Sequence, residues 1–394
     1  MRRLVSPPAL AALVLLVACG TACATPPSRL LFQVNPGEGF NLRRDALLRA
    51  ALVVRHAGAP WTLSLPPIPP TPHWADGSTA LPWSTFFDLD RLGTVVPVAE
   101  WQGGTIDDTW VLLKTPPPAE GGDLFAKSDC ASDPEVAARH PRDGDGWSLP
   151  TLGTTPPART RTLACLTAFA PFTRLADELR PIAGRTILVE RFERLFWPPE
   201  IYDGPEYWEV RRAMVFAPRL RAEAARWREA TFGKEPYLAV HLRRRDFLGT
   251  GRELPSLDDV VAQVRTALAA HGLQRVFLAT DATPEEVGTL AQRLPIVRWT
   301  PAPGTHWHDG EAAIVDQILA ADAAWFIGTE GSTFTTVIAE ERELADRPSA
   351  STWNVLCPGR TAADGRRSFA CEQPRPRHPT DQRGVARSGA RNSR

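Results

Sequence analysis

From Leu30 to Val34 the chain is almost continuously apolar, which predicts a buried strand, and Leu47, Ala50, Ala51 and Val54 then recur at helical i, i+3, i+4, i+7 spacing. The implied order is strand, loop, helix. Trp61 to Leu65 reads as the next strand, closed by a proline-rich loop from Pro66 to Pro72 that cannot continue a sheet. Thr94 to Val98 and Trp110 to Leu113 are further short strands, and Thr186 to Val189 another. Residues 115–157 are dense in Pro, Gly and Asp and read as a loop-rich surface insertion. From Glu206 to about Thr231 the pattern predicts one long helix kinked at Pro218.

Beyond Gly233 to Glu235 the alternation becomes regular. Strands are predicted at Tyr237 to Leu242, Val276 to Ala279, Ile296 to Trp299 and Ala324 to Ile327. Helices are predicted at Leu257 to Ala270, Pro284 to Arg293, Gly310 to Ala321 and Ser332 to Glu343. Such alternation is the mark of an α/β domain, a parallel sheet covered by helices. The expected division is a leader over 1–24, a first domain over 25–233, a second over 234–374 and a disordered tail over 375–394, rich in Arg, Pro and Ser.

With 394 residues the chain is long enough for two domains, and its 45 basic side chains balance 45 acidic ones, so no global field favours nucleic acid or an anionic membrane. Arg2 and Arg3, an apolar run from Leu10 to Cys19 and then Ala22-Cys23-Ala24 have the pattern of a secretory leader, too short to span a bilayer. Leu16-Val17-Ala18-Cys19 offers the alternative of a lipoprotein cleavage site that keeps Cys19. Loss of the leader leaves Cys130, Cys165, Cys357 and Cys371, for which three pairings exist. Proximity favours Cys130–Cys165 and Cys357–Cys371, each worth about 3–4 kcal/mol in the chain-entropy account. A zinc site would want a closely spaced cysteine pair, which these four do not provide.

Three segments carry candidate chemistry. In the first, Glu38 lies between Gly37 and Gly39, which allow close backbone approach and positive φ, and Asn41 would cap the following helix. The helix start favours an anion nearby, and Glu38 could act as a general base; the bland alternative is a solvated turn glutamate. In the second, His241 and Arg243 end a strand at the side where open α/β sheets place ligands. Arg243 offers a fork suited to phosphate, whereas His241 reads either as a nucleotide contact or as a satisfied interior histidine. Of Arg244 and Arg245, one should pair with a carboxylate and the other be solvated. In the third, Gly328-Thr329-Glu330-Gly331-Ser332-Thr333-Phe334 has the composition of a phosphate cradle, with Ser332 alternatively a plain N-cap. Asp316, mid-helix among apolar residues, needs a ligand or a base as partner.

Asp88-Leu89-Asp90 and Asp143-Gly144-Asp145 match the Asp-x-Asp pattern of metal-dependent glycosyltransferases, but strings this short arise by chance. His306-Trp307-His308 lacks a further ligand nearby and reads as loop. There is no Walker loop, Gly-x-Ser-x-Gly elbow or zinc-protease helix.

Taken in order, Asn35 to Asp45, Pro82-Trp83-Ser84 with Phe86-Phe87-Asp88-Leu89, Glu206-Tyr207-Trp208 with Arg211-Arg212, Val240 to Phe247, Ala279-Thr280-Asp281-Ala282, Ile314 to Gln317, Ser332-Thr333-Phe334 and Cys371 to Pro374 resemble the GDP-fucose protein O-fucosyltransferases, most closely the type 2 enzymes that modify thrombospondin type 1 repeats. The resemblance runs from about Leu30 to Pro374. It implies a GT-B architecture, two Rossmann-like domains facing a central cleft, and an inverting transfer of fucose from GDP-β-L-fucose to Ser or Thr hydroxyls of folded, disulfide-bonded repeats. By position, Glu38 corresponds to the catalytic base and Arg243 to the residue that stabilises the departing β-phosphate. Gly37, Gly39, Phe40, Asn41, His241, Leu242, Asp316, Ser332, Thr333 and Phe334 correspond to donor contacts. The family needs no metal and no cofactor beyond the donor substrate, and its two disulfides match the four cysteines in order. It also implies residence in the secretory pathway, in the lumen of the endoplasmic reticulum, although the chain has neither an Asn-x-Ser/Thr sequon nor a Lys-Asp-Glu-Leu ending. Residues 115–157 follow the family least, so the acceptor is less closely specified than the donor. An EGF-like or glycan acceptor, or a non-catalytic quality-control binder of such repeats, are the alternatives.

Overall fold

The structure is a computed structural model that describes residues 27–71, 73–74, 80–116, 118–120, 122–130, 133–195, 204–249, 251–361, 367–371 and 373–374. The expected leader and tail lie outside the described residues. The elements in chain order are β1 (Ser28–Gln33), α1 (Phe40–Ala57), β2 (Trp61–Leu65), β3 (Val98–Glu100), β4 (Ile106–Leu112), β5 (Leu124–Asp129), α2 (Pro134–Arg139), β6 (Arg142–Asp143), β7 (Gly146–Leu149), β8 (Ala158–Phe169), α3 (Phe172–Leu179), β9 (Thr186–Glu190), α4 (Pro205–Ala213) and α5 (Pro218–Phe232). They continue with β10 (Leu238–Leu242), α6 (Leu257–His271), β11 (Val276–Thr280), α7 (Pro284–Ala291), β12 (Ile296–Val297), α8 (Asp309–Asp322), β13 (Trp325–Ile327), α9 (Thr333–Leu344) and a small hairpin of β14 (Gly359–Thr361) and β15 (Arg367–Phe369).

Two separate sheets result. The first runs β3-β2-β1-β9-β4-β8-β7-β6, with β5 also on β8, and is parallel from β3 across to β8. The second runs β12-β11-β10-β13 and is wholly parallel. Parallel strands must be covered on both faces, which is why β1 and β10 are short, buried apolar runs. In the first lobe α1 lies against β1, β2, α3 and α4 and is buried over most of its circumference.

Three expectations change. Residues 115–157 are not simply loop: β5 and β7 pair antiparallel with successive stretches of the 12-residue β8 and widen the first sheet, with Cys130 bonded to Cys165 across that edge. The helix expected over Glu206 to Thr231 is broken rather than kinked. Pro218 lacks an N–H and disfavours helix in the residue before it, so it opens α5, while Phe216 forms a bridge to Phe87 in the gap. The strand expected at Thr94 to Val98 falls instead at Val98–Glu100. Cys357 and Cys371 form the second disulfide.

The lobes are joined by a buried ionic cluster. Arg211 of α4 donates to Glu340 (2.9 Å) and Glu341 (2.6 Å) of α9, Arg44 of α1 lies 3.5 Å from Glu340, and the Tyr207 hydroxyl donates to Glu340 at 2.8 Å. Burial opposes the Arg211 charge, but Glu341 and Glu340 outweigh it and raise its pKa. Removing either sign would leave the other uncompensated inside the protein. A few residues away Trp74 and Phe86 pack on Gly310 so closely that a β-carbon there would lie 2.8 Å and 2.9 Å from their rings. Helix α5, in turn, packs on α8 of the second lobe.

Candidate active site

The carboxyl ends of both sheets open onto one hollow of about 410 Å³ between the lobes. The first lobe contributes Glu38, Gly39, Phe40, Asn41, His73 and Trp74, and the second contributes His241, Arg243, Asp316, Ser332, Thr333 and Phe334. All the site residues expected from sequence line it except two: Gly37 is exposed in the turn before Glu38, and Leu242 has its side chain in the second core.

Glu38 is set by a turn in which its N–H donates to Asn35 O at 3.0 Å. Arg43, buried one helical turn on, donates to the backbone oxygens of Glu38 (3.2 Å) and Pro36 (3.1 Å), so the loop is tied down through its backbone. Burial lowers the Arg43 pKa to about 10 against the opposing pull of Glu193 and Glu38. The Glu38 carboxylate itself accepts no hydrogen bond among the described residues. The positive φ expected of the flanking glycines is not used; Gly39 has φ −71° and stands at the cap position of α1. Its lack of a side chain admits His73, whose Cδ2 would be 3.1 Å from a β-carbon on Gly39. Asn41 is not the cap either. It lies inside the first turn, and its Oδ1 accepts from Gln317 Nε2 at 3.1 Å across the lobes.

Arg243 is held by two carboxylates, Nε to Asp246 at 2.8 Å and Nη1 to Asp281 at 3.1 Å. Its backbone N–H donates to Thr329 Oγ1 at 2.9 Å. Arg244 pairs with Glu286 and Arg245 is exposed, as the sequence suggested. His241 stacks on Phe334 with centroids 4.5 Å apart. Burial, with Arg243 adding to it, lowers the His241 pKa to about 3, so the ring is neutral. Its Nδ1 lies 2.8 Å from Thr335 Oγ1, which already accepts from the Thr329 N–H. The Thr335 hydroxyl is thus able to donate to Nδ1, and in that arrangement the ring proton sits on Nε2.

Helices α6 and α7 start with closed capping boxes, but α1 and α9, whose first residues line the hollow, start without a capping side chain. Their first amides are left for an anion. Ser332 thus holds the cap position without making the cap bond. Asp316 faces the hollow partly exposed, and burial raises its pKa to about 7 against the pull of Arg298. The discounted motifs have structural partners: Asp88 accepts from the Arg91 N–H, Asp143 pairs with Arg159, and His308 caps α8. Among the described residues no three His, Cys, Asp or Glu side chains are grouped to hold a metal. Residues that sequence reasoning left unassigned include His73, Trp74, Gln317 and Asp281; only Gln317 and Asp281 sat in stretches already singled out.

Two Rossmann-like lobes with a shared hollow between them are the GT-B arrangement of a nucleotide-sugar transferase. The crystal structure of POFUT1 in complex with GDP-fucose shares the fold, with TM-score 0.56 and 17% identity over 84% of this chain and 99% of that one. The GDP-fucose protein O-fucosyltransferase profile matches residues 30–345. GDP-fucose protein O-fucosyltransferase 2 of Homo sapiens is 33% identical over 394 aligned residues, covering 88% of each chain, and that of Caenorhabditis elegans is 31% identical over 389, also covering 88% of each. The chain belongs to the GDP-fucose protein O-fucosyltransferase family.

Proposed function

We propose that this protein transfers fucose from GDP-β-L-fucose to a Ser or Thr hydroxyl of a folded, disulfide-bonded repeat, with thrombospondin type 1 repeats as the acceptor class. The observation that carries the reading is that Glu38 of the first lobe and Arg243 of the second line one hollow. In the reaction the Glu38 carboxylate takes the hydroxyl proton as the oxygen attacks the fucose anomeric carbon from the face opposite GDP. The bond from that carbon to the β-phosphate oxygen breaks, its electron pair leaves with GDP, and the β-linkage becomes α. Arg243 and the first amides of α9 accommodate the charge that grows on the diphosphate. His241, neutral with its proton on Nε2, donates to the donor and adds no charge.

The same reading puts the protein in the secretory pathway, in the lumen of the endoplasmic reticulum. Two disulfides suit an oxidising compartment, and among the described residues no helix is long and apolar enough to cross a membrane. It divides the chain into domains over 25–233 and 234–374. The test is acceptor choice: labelled GDP-fucose offered with folded thrombospondin, EGF-like and free-sugar acceptors should label the thrombospondin repeat. Label on an EGF-like repeat or a sugar would reassign the acceptor, and GDP-fucose binding without transfer to any of them would favour the quality-control role.

Asp316 adds a pH dependence. As a carboxylate it can accept from N–H groups of the donor, the guanine edge among them, and its pKa near 7 makes that form scarce in mild acid. GDP affinity should fall roughly tenfold per pH unit below 7, and Asp316→Asn should bind GDP weakly with a flatter profile. The stability effect has the opposite sign. A folded pKa above the unfolded one means that burying this carboxylate costs stability as pH rises towards and past 7, so the unliganded Asn variant should melt at a higher temperature than the parent at pH 8. Calorimetry between pH 5.5 and 8, with melting curves alongside, measures both; a parent affinity independent of pH would remove Asp316 from the donor site.

A further inference from the structure

The hollow is poor in positive charge for a site that holds a diphosphate. Its lining includes Glu38, Asp246, Asp281, Asp309 and Asp316 but, among the described residues, a single arginine, Arg243, which already faces two of them. A second guanidinium stands at the rim. The Arg252 guanidinium carbon is 4.7 Å from the centre of the Phe247 ring, and that of Arg243 is 5.9 Å from the same centre, so one side chain lining the hollow brings two arginines close together. Nη1 of Arg252 presses on Gly331, where φ of 68° favours glycine and where a β-carbon would collide with it. Gly331 itself lines the hollow just before Ser332 and Thr333. Arg252 has no ion-pair partner among the described residues: neighbouring Glu253 pairs with Arg360 at 3.4 Å, and Asp246 and Asp281 belong to Arg243. On its other side Arg252 borders a second cavity of about 440 Å³ that shares Gly331, so the side chain forms part of the wall between the two spaces.

We infer that Arg252 is a second diphosphate-binding arginine, which reaches the nucleoside diphosphate of the donor past Gly331 and supplies the positive charge that Arg243, flanked by Asp246 and Asp281, does not supply alone. This rests on the reading that the donor diphosphate lies at the turn opening α9. Arg252 is exposed, but its guanidinium already lies 4.7 Å from the centre of the Phe247 ring, so part of its freedom is restricted before the donor binds.

The test compares GDP and guanosine binding by calorimetry in the parent, Arg252→Gln, Arg252→Lys and Arg243→Ala, with melting temperatures for each. Arg252→Gln should weaken GDP about tenfold, the usual effect of losing a charged hydrogen bond, leave guanosine unchanged and melt with the parent. Arg252→Lys, which keeps the charge without the fork, should fall between. Parent-like GDP affinity in Arg252→Gln with weak binding in Arg243→Ala would overturn the inference and leave the donor reading standing, with Arg252 a packing partner of Phe247. Parent-like affinity in both would overturn the donor reading itself. Equal losses for GDP and guanosine, with a lowered melting temperature, would show a structural role and likewise overturn the inference.

Discussion

Glu38→Gln is expected to lower kcat by about 10²–10⁴, the usual weight of a general base, while GDP affinity stays within about twofold of the parent. The loop that presents Glu38 is held through main-chain oxygens, from Arg43 to Glu38 O and Pro36 O, and through the N–H of Asn35, which donates to Glu193 at 3.2 Å. None of these bonds uses the Glu38 carboxylate, so the amide leaves the turn intact and removes only the proton acceptor. Of the other carboxylates of the hollow, Asp246 and Asp281 are already engaged by Arg243. Turnover of labelled GDP-fucose and calorimetry with GDP separate the two effects. Normal turnover would remove Glu38 from the chemistry, and a parallel loss of GDP binding would recast it as a donor contact.

What the sequence disclosed follows from how local each signal is. From Tyr237 to Glu343 the main strands and helices were legible to within a few residues, because short apolar runs alternate with helical periodicity and Ser256 and Thr283 mark helix starts with their own capping boxes; the β14–β15 hairpin was not read. In the first half β8 went unread. Its exposed positions are arginines and a threonine, and its buried ones mix Ala158, Thr160 and Ala168 with Leu163, Cys165 and Leu166 without strict alternation, so the period-2 signal of a strand is blurred. The site was legible where chemistry sits on a strand-turn-helix junction, as at Glu38, Arg243 and Ser332. It was not legible where it depends on the lobes meeting. Asn41 with Gln317, Arg44 with Glu340 and Trp74 against Gly310 join residues more than two hundred positions apart. The available hint was Arg44 in the apolar part of α1, since an arginine buried there requires a partner from elsewhere in the fold.

Arg243→Ala is expected to lose both donor affinity and turnover, with kcat down about 10²–10³ from the missing transition-state charge and GDP binding weakened about tenfold or more. The loss exceeds that of one contact because Asp246 and Asp281 would remain. With Arg243 present they orient its Nε and Nη1 and leave Nη2 for the ligand; without it they face the incoming diphosphate as two uncompensated negative charges. Arg243→Lys should rescue little, since a single ammonium cannot meet two carboxylates and a phosphate in the planar geometry of a guanidinium. His241 should stay neutral in either variant, because burial is the larger cause of its low pKa and Arg243 the smaller. A pH profile of turnover would therefore keep its shape while its height falls. Combining Arg243→Ala with Asp246→Asn should recover part of the GDP affinity by removing one repelling charge, a gain that a purely structural role for Arg243 would not produce. Unchanged GDP calorimetry with full activity in Arg243→Ala would exclude this arginine from the leaving-group site.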